Sequence, residues 1–360
     1  MTVLVSVKMN DGVVQEQCAK QPARDMLLSC DAQLEEPQVV GRFFVIFLVL
    51  VGGTARVDAE GTPRVPLIGI LNYAGAQDVR VMQFLEALGK LGYIEGKNVA
   101  IHQEHADGVL ERLPDLAGKL VRSNVDVIIA LGPAVWAAKR ATSTVPIVIA
   151  FSGDPVGQGV VETLARPGGN LTGFSYMSTD LAGKRLEFLC TAFDRCARVG
   201  VLYNPGEPAT TREMEQTEVA AKQVGVRLEA LAARTPTDLE AAFAQATRAD
   251  MQGLLVFTHG FAVLNSARII EAAARFRLPV MYGWREFVDQ GGLMSYGPEI
   301  GSLVMGAAQY VDRILKGEKP GELPVQQPSR LQLLVNLKTA KHLGLAISPA
   351  LQARADEVIE

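Results

Sequence analysis

The histidine and serine residues of this chain form no recognisable catalytic or metal-binding motif. His102 and His105 frame the sequence HQEH, which is not the HExxH zinc motif, and on a strand their side chains would point to opposite faces. The sequence GFSYM at residues 173–177 lacks the closing glycine of a nucleophile elbow. His259 follows a predicted strand, but no nucleophile lies near it in sequence, so we interpret it as a loop residue or a ligand hydrogen bond. We therefore predict no catalytic residues and no metal site.

The residues that follow the predicted strands indicate a binding site instead. In open α/β sheets, ligands bind at the carboxyl ends of the strands, where loops lead into helix N-termini. Here these loops carry aromatic, amide and small residues with few charges, which suits a small, partly apolar molecule held by stacking and backbone hydrogen bonds. The candidate ligand-binding residues are Asn72, Tyr73, Gly132, Pro133, Phe151, Gly153, Asp154, Asn204, Thr258, Tyr282 and Trp284.

Several of these candidates have a structural explanation that is equally good. Asp154-Pro155 is a good helix start, with Asp at the N-cap and Pro at N1, and Pro133 can also begin a helix. Asn204-Pro205-Gly206 is as typical of a turn as of a binding loop. Tyr282 and Trp284 can belong to a core, although we expect at least one of them to contact the ligand.

Short apolar strands and amphipathic helices alternate along the chain and position these loops. Such alternation is typical of βαβ units with a parallel sheet. The pattern restarts near residue 199, so we predict two α/β units of similar size that join near residues 177–179. The predicted strands are 67–71, 98–102, 125–130, 147–151, 171–175, 199–203, 226–231, 253–258 and 279–282. The predicted helices are 79–91, 110–120, 210–223, 237–247 and 264–276.

The C-terminal part of the chain extends both units. Its predicted elements are a strand at 292–296, a helix at 303–315, an extended stretch at 319–328, a strand at 331–337 and helices at 340–343 and 349–359. If the helix at 303–315 returns to the first unit and the last strand to the second, the chain crosses between the units three times. We assign 65–177 plus 297–325 to lobe I, and 178–296 plus 326–360 to lobe II.

Residues 1–59 are predicted to be an N-terminal extension that carries a secretory signal. The apolar run at residues 43–51 follows Arg42, is too short to span a bilayer and fits the hydrophobic region of a signal peptide. Val57-Asp58-Ala59 offers a cleavage site, and no lipobox cysteine follows the run. The long, partly acidic stretch before Arg42 suggests that translation starts downstream, at Met26 or near residues 39–40. We therefore predict a periplasmic protein; the alternative is that the run is a buried core strand.

Composition excludes several classes of protein. A chain of 360 residues is long enough for two domains, and its 35 basic and 39 acidic side chains leave a net charge of -4, which gives no electrostatic reason to expect a nucleic-acid partner. Four cysteines are too few for a disulfide scaffold. Cys190 and Cys196 would lie about 9 Å apart on an unbroken helix, which is too far for a disulfide. They can pair only if the helix ends near residues 193–195, and disulfide and free thiols both remain open.

Several stretches resemble the substrate-binding proteins of ABC importers, specifically the group related to tryptophan and tyrosine uptake. Examples are LGKLGYIEGKN at 88–98, ARPGGNLTG at 165–173 and YGWREFV at 282–288. The other matching stretches are 141–148, 153–156, 291–297, 336–341 and 353–359. The pieces occur in order, and the resemblance extends over about residues 66–360.

The resemblance implies a periplasmic-binding-protein type I fold, in which two Rossmann-like lobes with parallel sheets are joined by a three-stranded hinge. It implies that a small ligand, an aromatic amino acid or a similar aromatic acid, is captured by lobe closure. The partners would be an ABC permease and its ATPase at the inner membrane; we expect no cofactor and a monomer. The alternatives are a ligand-sensing domain, or an enzyme built on the same two-lobe fold.

Overall fold

The computed structural model describes residues 64–193, 195–207 and 209–360. The predicted N-terminal extension at residues 1–59, with its apolar run and cleavage site, lies outside the described residues. Within these three ranges, no helix combines the length and the hydropathy that are needed to cross a membrane.

Strands and helices alternate along the described residues, as the sequence predicts. The strands are β1 (Leu67–Asn72), β2 (Ala100–His105), β3 (Val127–Leu131), β4 (Ile147–Ser152), β5 (Leu171–Ser175), β6 (Arg198–Tyr203), β7 (Arg227–Ala232), β8 (Gly253–Val256), β9 (Val280–Tyr282), β10 (Met294–Gly297), β11 (Gln332–Asn336) and β12 (Glu357–Ile359). The helices are α1 (Val79–Lys90), α2 (Leu113–Arg122), α3 (Ala134–Ala141), α4 (Ser178–Ala192), α5 (Ala209–Val224), α6 (Pro236–Arg248), α7 (Gly260–Leu264), α8 (Ser266–Phe276), α9 (Arg285–Asp289), α10 (Ile300–Leu315), α11 (Leu337–Leu343) and α12 (Pro349–Gln352).

The first sheet has the strand order β2-β1-β3-β4-β5, and its neighbouring strands are all parallel. Strands β3 and β4 are buried along their whole length because helices cover both faces of the sheet. Val127 and Ile129 of β3 pack in one cluster with α1 and α10, whereas Ile128 packs on the other face with α2 and α3. We call this sheet and its helices the first lobe.

The second sheet has the order β12-β11-β10-β9-β8-β6-β7, and with its helices it forms the second lobe. Its neighbouring strands are parallel, as predicted, except that β11 runs antiparallel to β10. The reason is the path of the chain. Strand β10 ends where the chain leaves for the first lobe, and β11 starts where it returns, so the two strands run in opposite directions.

The chain passes between the lobes at three places: from β5 to α4, from β10 to α10, and from α10 to β11. Helix α4 packs on β8, β9 and β10, whereas α10 packs on β3, β4 and β5. The first and third passages lie side by side, because the Ser175 N–H donates to the Gln326 carbonyl at 2.8 Å and the Gln326 N–H donates to the Gly173 carbonyl at 2.8 Å. The predicted fold class, two α/β lobes joined by three chain segments, is confirmed.

Two predicted helices differ from the structure. The helix predicted at 349–359 is wrong beyond Gln352, because residues 357–359 form β12, which pairs with β11. The Asp356 carboxylate accepts the Leu333 N–H at 2.8 Å and brings this segment to the sheet edge. The helix predicted at 264–276 begins at Ser266 as α8, and a separate short helix, α7, precedes it and ends at Leu264.

The two cysteines of the second lobe are joined. Helix α4 ends at Ala192, and Phe193 after it is extended. Cys190 and Cys196 therefore approach to a Cα separation of 5.1 Å and form a disulfide. Of the two alternatives that the sequence left open, the structure has the disulfide.

Candidate ligand-binding cleft

A cavity of about 500 Å³ lies between the lobes, at the carboxyl ends of their strands. The loops after β1, β3 and β4 line it from the first lobe, and the loops after β6, β8 and β9 line it from the second. Its walls are mainly aromatic and aliphatic, and its volume lies in the range of small-molecule sites.

Most of the predicted ligand-binding residues line this cavity. They are Asn72, Tyr73, Gly132, Pro133, Phe151, Gly153 and Trp284. They come together because each follows or ends a strand whose carboxyl end faces the gap between the lobes.

Asp154 and Asn204 do not line this cavity. The Asp154 carboxylate caps a turn by accepting the Gly157 N–H at 2.7 Å, and its other oxygen lies 3.4 Å from Arg212 Nε of the second lobe. Asn204 Oδ1 accepts the Gly206 N–H at 2.9 Å. Asn204 therefore serves the turn that the sequence offered as the alternative. The helix start considered at Asp154-Pro155 is wrong, because residues 155–159 form turns, and Asp154 caps a turn instead.

Thr258 and Tyr282 also lie away from the cavity. Thr258 is buried behind it, and its carbonyl accepts the Tyr176 hydroxyl at 2.8 Å. Tyr282 lies in the core of the second lobe, where its ring stacks on Phe287 with the centroids 4.6 Å apart, and burial raises the pKa of its hydroxyl. Of the pair Tyr282 and Trp284, only Trp284 reaches the cavity.

Three aromatic rings form a continuous surface, which we call the aromatic wall: Phe151, Tyr176 and Trp284. The Trp284 ring meets Phe151 edge-to-face with centroids 5.7 Å apart, and it meets Tyr176 in the same way at 5.5 Å. Phe151 belongs to the first lobe and Trp284 to the second. The wall is therefore complete only when the lobes are together.

Arg80 lies against the aromatic wall. Its guanidinium carbon is 5.7 Å from the Phe151 ring centroid and 5.8 Å from that of Trp284. Asp78 holds this side chain through two hydrogen bonds, from Nε at 2.7 Å and from NH2 at 3.1 Å. The Asp78 carboxylate also caps α1. These hydrogen bonds hold the Arg80 guanidinium at the cavity wall and pair its positive charge with the Asp78 carboxylate.

The second lobe contributes a buried carboxylate and a histidine. Glu207 accepts the Phe261 N–H at 3.1 Å and the Gly260 N–H at 3.2 Å, and its Oε1 lies 3.3 Å from His259 Nδ1. Burial alone would raise the pKa of Glu207, but the hydrogen bonds from His259 and the two backbone N–H groups outweigh it and hold that pKa below its usual value. Glu207 is therefore an ionised carboxylate, and each of its oxygens accepts a backbone hydrogen bond.

Direct contacts between the lobes show a closed cleft. A Cβ atom built on Gly260 of the second lobe would lie 2.5 Å from the Tyr73 ring of the first. At the rim, Arg212 of α5 reaches across to Asp154, and we call these two residues the mouth pair.

Sequence reasoning missed several side chains of the cavity: Asp78, Arg80, Trp136, Tyr176 and Glu207. The helix start at Asp78 and the position of Trp136 just after Gly132-Pro133 were usable signals, because Asp78 caps the helix that follows β1 and Trp136 lies in the first turn of the helix that follows β3. Glu207 gave none, since its burial depends on residues far along the chain. His259, interpreted from sequence as a loop or ligand residue, lines the cavity. Within the described ranges, no three His, Cys, Asp or Glu side chains are grouped so that they could hold a metal ion.

The family model of ABC transporter substrate binding proteins matches residues 68–359, which span both lobes. The chain therefore belongs to the family of ABC transporter substrate-binding proteins. The resemblance seen in the sequence is confirmed. Proteins of this family bind solutes, and the family is typically extracytoplasmic.

Individual relatives support the same assignment. A tyrosine-binding protein from Clostridioides difficile (strain R20291) is 27% identical over 264 residues, which are 73% of this chain and 75% of the relative. A solved structure of a conserved domain protein from Vibrio cholerae O1 biovar El Tor strain N16961 has a TM-score of 0.77 and 28% identity, and covers 82% of this chain and 100% of its own. The ABC domain from Streptococcus pneumoniae in complex with L-Trp has a TM-score of 0.74 and 23% identity, covers 81% of this chain and 100% of its own, and shares the fold. The fold is that of type I periplasmic binding proteins.

Proposed function

We propose that this protein captures an aromatic amino acid between its lobes and delivers it to an ABC permease. The aromatic wall with Arg80 against it carries this proposal. Phe151, Tyr176 and Trp284 offer ring faces and edges to an aromatic side chain, and the guanidinium of Arg80 provides a positive charge for a carboxylate. The tyrosine-binding relative supports the same class of ligand.

Ligand capture is proposed to work by shifting the lobes toward the closed form. Phe151 and Trp284 come from different lobes, so a ligand in contact with both binds the closed form better than the open one. A ligand can shift such an equilibrium only by this difference in affinity. The closed protein would then present its joined rim to the permease.

The cellular setting belongs to the same proposal. We propose that residues 1–59 direct export to the periplasm, that the mature protein acts as a monomer, and that its macromolecular partners are the permease and ATPase rather than nucleic acid. We further propose that the lobes comprise 65–177 with 297–325, and 178–296 with 326–360. Helix α10, which packs on the first sheet, and β11 and β12, which join the second, support this division.

Isothermal titration of the purified protein with L-tryptophan, L-tyrosine, L-phenylalanine and L-leucine tests the ligand. We expect saturable binding of one or more of the aromatic amino acids, with leucine clearly weaker and no compound consumed. Trp284→Ala should weaken binding about 30-fold or more, as expected for a buried aromatic contact. Tyr282→Phe is the matched control, because its ring lies outside the cavity. Turnover of a compound, or preference for leucine, would contradict the proposal.

A further inference from the structure

Arg140 is a charged residue of the cavity wall that has no partner among the described residues. The Asp, Glu, Lys and Arg residues that line the cavity are Asp78, Arg80, Arg140 and Glu207. Asp78 pairs with Arg80, and Glu207 accepts two backbone hydrogen bonds. Arg140 is exposed and forms neither an ion pair nor a hydrogen bond with any residue that the structure describes. The cavity therefore carries an uncompensated positive charge at Arg140.

The spacing of the lining residues on α3 shows that Arg140 stands on the face turned toward the cavity. Pro133, Trp136, Ala137 and Arg140 all line the cavity, and their spacing is that of residues on one helix face. Side chains of a helix lean toward its N-terminus, and α3 begins where β3 ends, at the cavity. The Arg140 side chain therefore leans back along the cavity wall.

Arg140 and the aromatic wall mark two separate ends of the site. Arg140 stands about 9 Å further along α3 than Ala134, because a helix rises about 1.5 Å per residue. The aromatic wall lies near the start of α3, since a Cβ atom built on Gly132 would be 3.2 Å from the Phe151 ring. A ligand whose ring contacts the aromatic wall therefore reaches Arg140 only through a group that extends away from that wall.

Gln158 supplies a second free polar side chain near Arg140. It lines the cavity, and its amide makes no hydrogen bond with a side chain or backbone group of the described residues. Lys139, next to Arg140, donates to the Gly159 and Val160 carbonyls at 2.5 and 2.8 Å, so the segment around Gln158 lies against this part of α3. The amide N–H of Gln158 and the guanidinium of Arg140 can donate to the same acceptor.

We propose that Arg140 binds an acidic group of the ligand, so that the protein takes an aromatic amino acid carrying a second acidic group remote from its α-carboxylate. An unpaired guanidinium suits a carboxylate, because the two form strong, charge-assisted hydrogen bonds. The inference rests on the proposed function, in which Arg80 meets the α-carboxylate, and it narrows the class of ligand. The second acidic group can be attached to the ring or to the α-nitrogen.

Two matched pairs of ligands test the contact and distinguish these two attachments. 4-Carboxy-L-phenylalanine and 4-methyl-L-phenylalanine carry an acidic or a neutral group on the ring. N-succinyl-L-phenylalanine and N-butyryl-L-phenylalanine differ in the same way at the nitrogen. In isothermal titration of wild type, we expect the acidic member of at least one pair to bind about tenfold tighter than its neutral partner, or more.

Arg140→Gln should reduce this preference to less than about twofold and leave thermal unfolding unchanged, because the residue is exposed. Arg122→Gln is the matched control, since Arg122 is an exposed arginine of α2 outside the cavity wall and its loss should keep the preference. No preference in either pair, or a preference that survives Arg140→Gln, would overturn the inference, while binding of L-phenylalanine would leave the proposed function intact. If wild type binds none of the aromatic amino acids and none of the four probes, both fail.

Discussion

Arg212 and Glu213 are neighbours on helix α5, and each forms an ion pair, but the two ion pairs lie in very different surroundings. Arg212 points to the rim of the cleft, where it meets Asp154 with side chains 51% and 19% exposed. Glu213 points inward to Arg185 of α4, and these side chains are 1% and 4% exposed. Arg185 also donates hydrogen bonds to the carbonyls of Ser178 and Tyr296, which lie beside two of the three passages between the lobes. We therefore call Arg185 and Glu213 the hinge pair.

These backbone contacts give the hinge pair a structural role. Arg185 Nε donates to the Tyr296 carbonyl at 2.9 Å, and NH1 donates to Glu213 Oε1 at 3.0 Å and to the Ser178 carbonyl at 3.4 Å. The guanidinium thus ties the end of β10 and the start of α4 to α5. All of these partners are on the second lobe or at its edge, so the contacts persist whether the cleft is open or closed.

The mouth pair has the opposite character. Its two residues lie on different lobes, so its contact exists only in the closed form, and solvent screens it. Neighbouring residues of helix α5 therefore differ in role. Glu213 makes a buried contact within the second lobe that stabilises the fold, whereas Arg212 makes a weak contact between the lobes that opening would break. We expect changes at the hinge to affect unfolding and changes at the mouth to affect ligand affinity.

The largest effect is expected from Glu213→Ala. At about pH 8, where Glu213 is mostly ionised, removing it leaves the Arg185 charge uncompensated, so the free energy of unfolding should fall by about 3–5 kcal/mol. Urea unfolding without ligand measures this, with Arg212→Ala as the neighbouring control. If the two variants were destabilised equally, the distinction between hinge and mouth would be lost.

The pH dependence of stability also distinguishes the hinge pair from the mouth pair. Burial raises the pKa of Glu213 from 4.5 to about 7, although the Arg185 guanidinium opposes this shift. Between pH 4.5 and pH 7 the folded chain therefore binds more protons at Glu213 than the unfolded chain does. The stability that comes from keeping Glu213 protonated is complete below pH 4.5 and is lost as the pH rises through 7. Its size is at most about 3 kcal/mol.

Unfolding of wild type and Glu213→Gln, compared between about pH 5 and pH 8, isolates this contribution. Wild type should lose stability relative to the variant as the pH rises. The lowered pKa of Glu207 acts in the other direction, with stability lost as the pH falls through that pKa, below this window. A constant difference between the two proteins across the range would contradict the assignment.

Gly260→Ala is a smaller change and should act on closure. The added Cβ would meet the Tyr73 ring at 2.5 Å, a contact that exists only when the lobes are together. Such overpacking costs about 1–3 kcal/mol, so ligand affinity should fall about tenfold while unfolding without ligand is unchanged. Gly89→Ala, whose added Cβ meets nothing within 4 Å, is the control. Lower stability of the ligand-free Gly260→Ala protein would show that the contact is not specific to closure.

The smallest effect is expected from Arg212→Ala at the mouth. Loss of a largely exposed ion pair should weaken ligand binding by less than about fivefold, and the difference should shrink at high salt. Titrations at low and high ionic strength measure it. A larger loss that salt does not change would show that Arg212 contacts the ligand or a buried group.

Much of the fold could be predicted from the sequence, because strand and helix periodicity is local. The buried runs of β3 and β4 and the apolar spacing of α1 can each be recognised over a few residues. Phe151 near the end of β4 and Trp284 just after β9 were predicted as ligand-binding residues from their positions at strand ends. Strand β12 was missed, since three residues at a sheet edge give little pattern of their own. Its place depends on pairing with β11, which lies more than twenty residues earlier.

The two α/β units, the loops that build the cleft and the family of the chain could all be read from local sequence patterns. Which loop residues line the cavity depends on how the chain packs. Asn204 and Trp284 both follow strands, yet one closes a turn and the other completes the aromatic wall. Glu207 and Glu213 likewise lie on neighbouring turns of the same segment, yet their pKa values shift in opposite directions. Burial and charge partners set those properties, and both come from residues that are distant in sequence and adjacent only after folding.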